Sequence, residues 1–107
     1  MKIGANYVVK NTFGVETVLG NKNLIVNEGD TGVVTGSGAV YMLTGEARGK
    51  LISTDTKVSG FDTENISKLI YKRLNSEFNL REVLEENDIS KFDFMERMEE
   101  ILEVIFN

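Results

Sequence analysis

The 107-residue chain contains no cysteine, histidine, tryptophan or proline. Without cysteine there are no disulfides, and without cysteine and histidine there is no Cys/His zinc site. The same absences remove thiolate and imidazole, the commonest nucleophile and general base at neutral pH. Catalysis would have to rest on carboxylates, hydroxyls, lysine or tyrosine. No nucleophile elbow, phosphate-binding loop or dinucleotide fingerprint is present to organise them. A non-catalytic protein with no cofactor and no metal is therefore expected. Met1-Lys2-Ile3-Gly4 opens no apolar leader, and no run of ~18 apolar residues offers a membrane span. The expectation is a soluble, cytoplasmic protein, in which Asn65-Ile66-Ser67 has no meaning as a glycosylation signal.

Hydrophobic residues make up 41% of the chain and the formal charge is −5, a balance that favours folding over disorder. All ten glycines lie in residues 1–60 and none in residues 61–107. Charge divides at the same place. The first segment carries six basic and five acidic residues (+1), the second six basic and twelve acidic (−6). This pattern predicts an α+β protein with a glycine-rich antiparallel β unit over 1–60 and an acidic helical segment over 61–107 packed on it.

In the first segment, β-branched and aromatic runs alternate with Gly, Asn and Asp, which predicts strands near 5–10, 14–19, 23–28, 31–35, 39–44 and 50–53. Gly20-Asn21-Lys22-Asn23 and Gly36-Ser37-Gly38 read as hairpin turns, the second with no helix behind it to make a phosphate cradle. A sandwich and a small closed barrel both accommodate such strands, and closure favours the barrel because it removes exposed edges. The segment Ile25-Val26-Asn27-Glu28-Gly29-Asp30-Thr31-Gly32-Val33-Val34, with Tyr7-Val8-Val9 before it and Ala39-Val40-Tyr41-Met42-Leu43 after it, resembles the turn and following strand of small Src-homology-3-like barrels, including the KOW type. The resemblance covers residues 3–53 and implies contact with RNA or proteins near the turn through basic residues. Here the turn carries Glu28 and Asp30 instead, and Gly29 and Gly32 also read simply as residues that allow a tight bend.

The second segment has helical periodicity. Asp62 or Thr63 caps a helix whose apolar face is Ile66, Leu69, Ile70 and Leu74. Asn79-Leu80-Arg81-Glu82 reads as a capping-box variant opening a short helix with Leu80, Val83 and Leu84 inward, and Ser90 caps the last helix. Three helices with a tight turn at Asp88-Ile89-Ser90 suggest a helix-turn-helix. The second of its helices, however, holds Asp93, Glu96, Glu99, Glu100 and Glu103 against only Lys91 and Arg97, and duplex DNA would repel it.

At about 100° per residue, Phe94, Met95, Met98, Ile101, Leu102, Ile105 and Phe106 share one broad arc of that helix. Asp93, Glu96, Glu100 and Glu103 share the opposite arc within about 80°, with Glu99 at the border. The apolar arc is core, or in part a homodimer surface through Phe94, Ile105 and Phe106. The acidic arc is either a solvated face or a binding surface, which Glu82, Glu85, Glu86 and Asp88 would extend. No EF-hand spacing accompanies any carboxylate cluster. Repeating like charge toward a helix C-terminus opposes the macrodipole, which points to a use other than stability. Carboxylates advancing about 5 Å per step are comparable to phosphates along a nucleic-acid strand.

A small, acidic chain without histidine, cysteine or a catalytic constellation is similar in type to phage inhibitors of nucleases, including anti-CRISPR and anti-restriction proteins. That similarity implies a protein-binding module whose acidic groups occupy the basic nucleic-acid cleft of an enzyme. Two other classes stand beside it. One is a nucleic-acid or ribonucleoprotein accessory domain using Lys10, Lys22, Arg48, Lys50, Lys57 and Tyr41; the other is a structural component of a virion or assembly joined through Phe94, Ile105 and Phe106.

Overall fold

A computed structural model describes residues 1–16 and 23–106. The protein is α+β, and its contacts divide it into two units, Met1–Gly60 and Phe61–Asn107. The first holds β1 (Asn6–Val8), β2 (Phe13–Glu16), β3 (Asn23–Val26), β4 (Thr31–Gly36), β5 (Ala39–Met42) and β6 (Leu51–Ser53). The second holds α1 (Thr63–Phe78), α2 (Leu80–Glu86) and α3 (Lys91–Phe106). No described helix is long and apolar enough to cross a membrane.

All strand pairs are antiparallel. They form a four-stranded sheet in the order β1-β4-β5-β6 and a separate β2-β3 hairpin. Alternation along β4 and β5 sends Val34, Val40 and Met42 inward, and register aligns Val34, Val40 and Ile52 in one fully buried cross-strand row. Leu24 and Val26 of the hairpin join the same core, with Val9 and Ala47 closing it. The two sheets thus share one core. Among the described residues no hydrogen-bonded ladder links the hairpin to the larger sheet, so the described strands form no closed barrel. The short hairpin strands satisfy their ladders on each other, and side-chain packing rather than pairing joins them to the larger sheet. The expected turn at residues 20–23 falls on residues 20–22, outside the described residues, up to the start of β3. The turn between β4 and β5 is Ser37-Gly38, with Gly38 at φ +74° and a register shift between Val34 and Gly36.

The turn before β4 is built by its own charges. Asp30 N–H donates to the Asn27 carbonyl at 3.0 Å and Gly29 stands at φ +88°, as the third position of a type II turn requires. The Asp30 carboxylate accepts the Asn27 N–H at 2.9 Å and lies against Gly45, which leaves no room there for a Cβ. Asp30 therefore braces the turn. Gly29 is needed for its backbone angle, whereas Gly32 is needed for space, because a Cβ would sit 2.7 Å from the Tyr41 carbonyl oxygen and 2.8 Å from Val40 Cγ1.

In the helical unit, Asp62 caps α1 by accepting the Asn65 N–H at 3.0 Å. The buried face of α1 is Thr63, Ser67 and Tyr71. The expected face is only half-buried at Ile66, Leu69 and Leu74, and Ile70 is exposed. Small hydroxyl residues let α3 approach closely, and Ser67 Oγ stays satisfied by donating to the Thr63 carbonyl at 2.8 Å. Asn79 makes no side-chain cap for α2. Its αL backbone ends α1 instead, and Asn75 Oδ1 accepts the Arg81 N–H at 2.8 Å. Leu84 is buried, but Val83 faces solvent, because α2 completes only two turns and shows one narrow side to α1.

Tyr71 packs its ring 6.3 Å from that of Phe94, with Lys91 Nζ 4.9 Å from the ring centroid. Its hydroxyl is buried and has no protein partner among the described residues. A buried hydroxyl without a partner is costly, so Tyr71→Phe is expected to stabilise the protein by about 1 kcal/mol. Urea unfolding followed by circular dichroism at 222 nm checks this; a clear loss of stability would show that the hydroxyl is satisfied in solution.

Candidate functional site

The acidic arc lies on α3, a helix begun by Ser90, whose Oγ accepts the Asp93 N–H at 3.0 Å. Lys, Glu, Arg, Met and Leu then continue it with no glycine, and Asp93 suits the positive end of its dipole. Asp93, Glu96, Glu100 and Glu103 are exposed and Glu99 is half-buried. Glu96, Glu99, Glu100 and Glu103 together line a shallow, open depression of about 280 Å³.

Glu103 differs from its neighbours. Thr63 Oγ1, on a residue only 5% exposed, donates to Glu103 Oε2 at 2.7 Å. The Phe61 and Phe106 rings stack at 4.8 Å, so α1 and α3 run antiparallel and the C-terminal end of α3 lies beside the N-terminus of α1. Carboxylates that oppose the dipole of their own helix thereby face the positive end of the next. Glu103 is accordingly a brace between helices as well as a member of the arc, and this contact, spanning forty positions of sequence, has no local signal.

Glu96 and Glu100, past the first turn of α3, have no such compensation among the described residues. The three ion pairs among the described residues are Lys68–Glu64 at 3.1 Å, Arg73–Glu77 at 2.6 Å and Arg81–Glu85 at 3.3 Å, all exposed and all on α1 or α2. Each contributes only ~0.3–0.5 kcal/mol. None reaches α3, where Glu96 and Glu100 form a like-charge pair costing ~0.2–0.5 kcal/mol. Glu82, Glu86 and Asp88 are exposed on or just after α2, Glu85 is paired, and none of these four lines the α3 depression. No group of three or more described carboxylates is arranged to hold a metal ion.

Of the expected self-association residues, Phe94 is half-buried with its ring 6.3 Å from that of Tyr71, Phe106 stacks on Phe61 yet stays exposed, and Ile105 is exposed. In the β unit Lys10, Arg48, Lys50, Lys57 and Tyr41 are exposed, and Lys22 lies outside the described residues. A groove of about 880 Å³, with Tyr7, Phe13, Thr54, Thr56 and Lys57 among its lining residues, was not anticipated. Its residues come from Met1, β1, β2, the end of β6 and the segment after it, so no single stretch of sequence announces it. No protein-family model, curated protein or solved structure matches this chain.

Proposed function

We propose that the protein is a non-catalytic binding module that presents the α3 carboxylates to a basic nucleic-acid-binding surface on another protein, in the manner of a phage inhibitor of a nuclease such as a CRISPR effector. The observation that carries this reading is the uncompensated charge of α3. Asp93, Glu96 and Glu100 are exposed on one arc with no cation paired to them among the described residues, although neighbouring helices use theirs in three ion pairs. A basic cleft supplies the missing counter-charge and a long-range attraction that speeds encounter. On this reading the β unit is a small Src-homology-3-like scaffold, and the protein works in the cytoplasm, the host's if it is phage-encoded.

The test reverses Asp93, Glu96 and Glu100 to Lys and leaves Glu103 intact, because it braces α1. Immobilised wild-type protein is expected to retain a nucleic-acid enzyme at low salt, to release it as ionic strength rises, and to compete with that enzyme's nucleic acid. The triple variant, folded by circular dichroism, is expected to bind at least tenfold more weakly. Equal retention by the variant, or failure to compete with nucleic acid, overturns the reading. The groove beside Tyr7, Phe13 and Lys57 favours the alternative of a nucleic-acid accessory domain, since it joins aromatic rings to a cation. Direct, salt-sensitive binding of single-stranded RNA by the wild type and the triple variant alike would select it.

A further inference from the structure

The surface of α3 has three sectors. Phe94, Met95, Met98, Glu99 and Leu102 are half-buried and form the side toward α1, and the carboxylates form the second sector. The third is apolar and uncovered, with Val104 84% exposed, Ile105 64% and Ile101 53%. These three residues stand at i, i+3 and i+4 on one turn and form a single patch. No residue of this sixteen-residue helix is buried.

We propose that Ile101, Val104 and Ile105 are the apolar anchor with which α3 docks a protein partner, and that the complementary surface is an apolar patch rimmed by lysine and arginine. The proposal rests on the acidic-face reading and names the chemistry of the partner for that face. Glu100 borders the patch, immediately before Ile101 and one turn from Val104, and Asp93 and Glu96 continue the negative edge away from it. Arg97, one turn before Ile101, also borders the patch, and Lys91 lies over the Tyr71 ring on the side toward α1, so along this edge the three carboxylates outnumber one cation. Desolvating this edge is favourable only against positive charge. A second copy is a poor occupant, because it would bring a helical unit of charge −6 against another of −6. A central apolar cluster inside a charged rim is the usual anatomy of a specific interface.

The probes are two labelled sixteen-residue peptides of equal positive charge, an amphipathic Leu–Lys helix and a Gln–Lys control. They are titrated by fluorescence anisotropy into the full-length protein, the I101Q/V104Q/I105Q variant and the D93K/E96K/E100K variant. Glutamine is a good helix former and the three sites are exposed, so the first variant is expected to keep its circular dichroism spectrum. The Leu–Lys helix is expected to bind the wild type and shift the amide resonances of residues 100–105. It should bind the glutamine variant at least tenfold more weakly, while the Gln–Lys peptide binds both within twofold. Equal Leu–Lys affinity for wild type and glutamine variant overturns the anchor, and if the charge variant has meanwhile lost binding, the acidic-face reading stands without it. A charge variant that binds Leu–Lys as tightly as wild type overturns the acidic face and the basic rim together. A wild-type dimer in sedimentation that the glutamine variant dissolves overturns the proposal by assigning the patch to a second copy.

Discussion

Replacing Gly32 with valine is expected to destabilise the β unit by about 3 kcal/mol, with alanine costing ~2 kcal/mol. Gly32 lies in β4, paired with Tyr7 of β1 and Met42 of β5, at the centre of the larger sheet. A Cβ there meets backbone first, the Tyr41 carbonyl oxygen at 2.7 Å, and then Val40 Cγ1 at 2.8 Å and Met42 Sδ at 3.0 Å. The methionine can move, but the carbonyl is fixed by the ladder and the Val40 side chain is fully buried. Relief therefore requires β4 and β5 to separate, which opens the row of Val34, Val40 and Ile52 behind them. Gly36→Ala is the control: the same strand has nothing within 4 Å of a Cβ at that position, and the backbone angle is not positive. Urea unfolding with amide exchange of β4 and β5 separates the two. If Gly32→Val exchanges as slowly as wild type, the sheet is looser than these contacts state.

Gly32 also shows where sequence reading stops. Six strands were legible because β-branched runs between Gly, Asn and Asp carry their alternation locally, and the observed strands fall within or at the edges of the expected spans. Whether a glycine serves an angle or a space is not local: Gly29 and Gly32 look alike in sequence, and only the pairing of β4 with β5 distinguishes them. Asp30 was equally opaque. As a charged turn residue it suggested a departure from a basic contact surface, whereas its carboxylate accepts the Asn27 N–H and fills the space over Gly45. The face of α1 is legible only in part, for a related reason: Ile66, Leu69 and Leu74 are half-buried, but the fully buried positions lie elsewhere. Hydrophobic periodicity selects Ile66, Leu69, Ile70 and Leu74, yet close approach to α3 selects the smaller Thr63 and Ser67, whose hydroxyls find partners once the helices are in place.

The acidic arc was legible for the opposite reason. Helical spacing alone puts Glu96, Glu100 and Glu103 on one side, and the structure brings them together with Glu99. What the wheel could not supply was the division of labour among them. Nor could it separate Ile101 and Ile105 from Phe94, Met98 and Leu102, since all five share the apolar arc and only the position of α1 decides which are covered.

That division gives the second large effect. Glu103→Lys is expected to destabilise the helical unit by about 2 kcal/mol, while Glu100→Lys stays within ~0.5 kcal/mol of wild type or gains slightly. Two costs add at Glu103. The buried Thr63 hydroxyl loses its acceptor at 2.7 Å, the larger cost, and a cation replaces an anion beside the positive N-terminal end of α1, a cost of ~0.3–1 kcal/mol per charge that the cation's better fit to the C-terminal end of α3 partly offsets. At Glu100 there is no donor to orphan, and removing its repulsion of Glu96 recovers ~0.2–0.5 kcal/mol. Thermal unfolding of the two variants at low and high salt tests the contrast. The dipole share of the Glu103 effect should shrink with salt and the hydrogen-bond share should remain. Equal stability of the two variants would mean that the Thr63 contact does not brace α3, and Glu103 would then stand with the free carboxylates of the acidic arc. A large difference instead assigns Glu103 to the contact with α1 and leaves Asp93, Glu96 and Glu100 as the carboxylates whose reversal tests the proposed binding without breaking that brace.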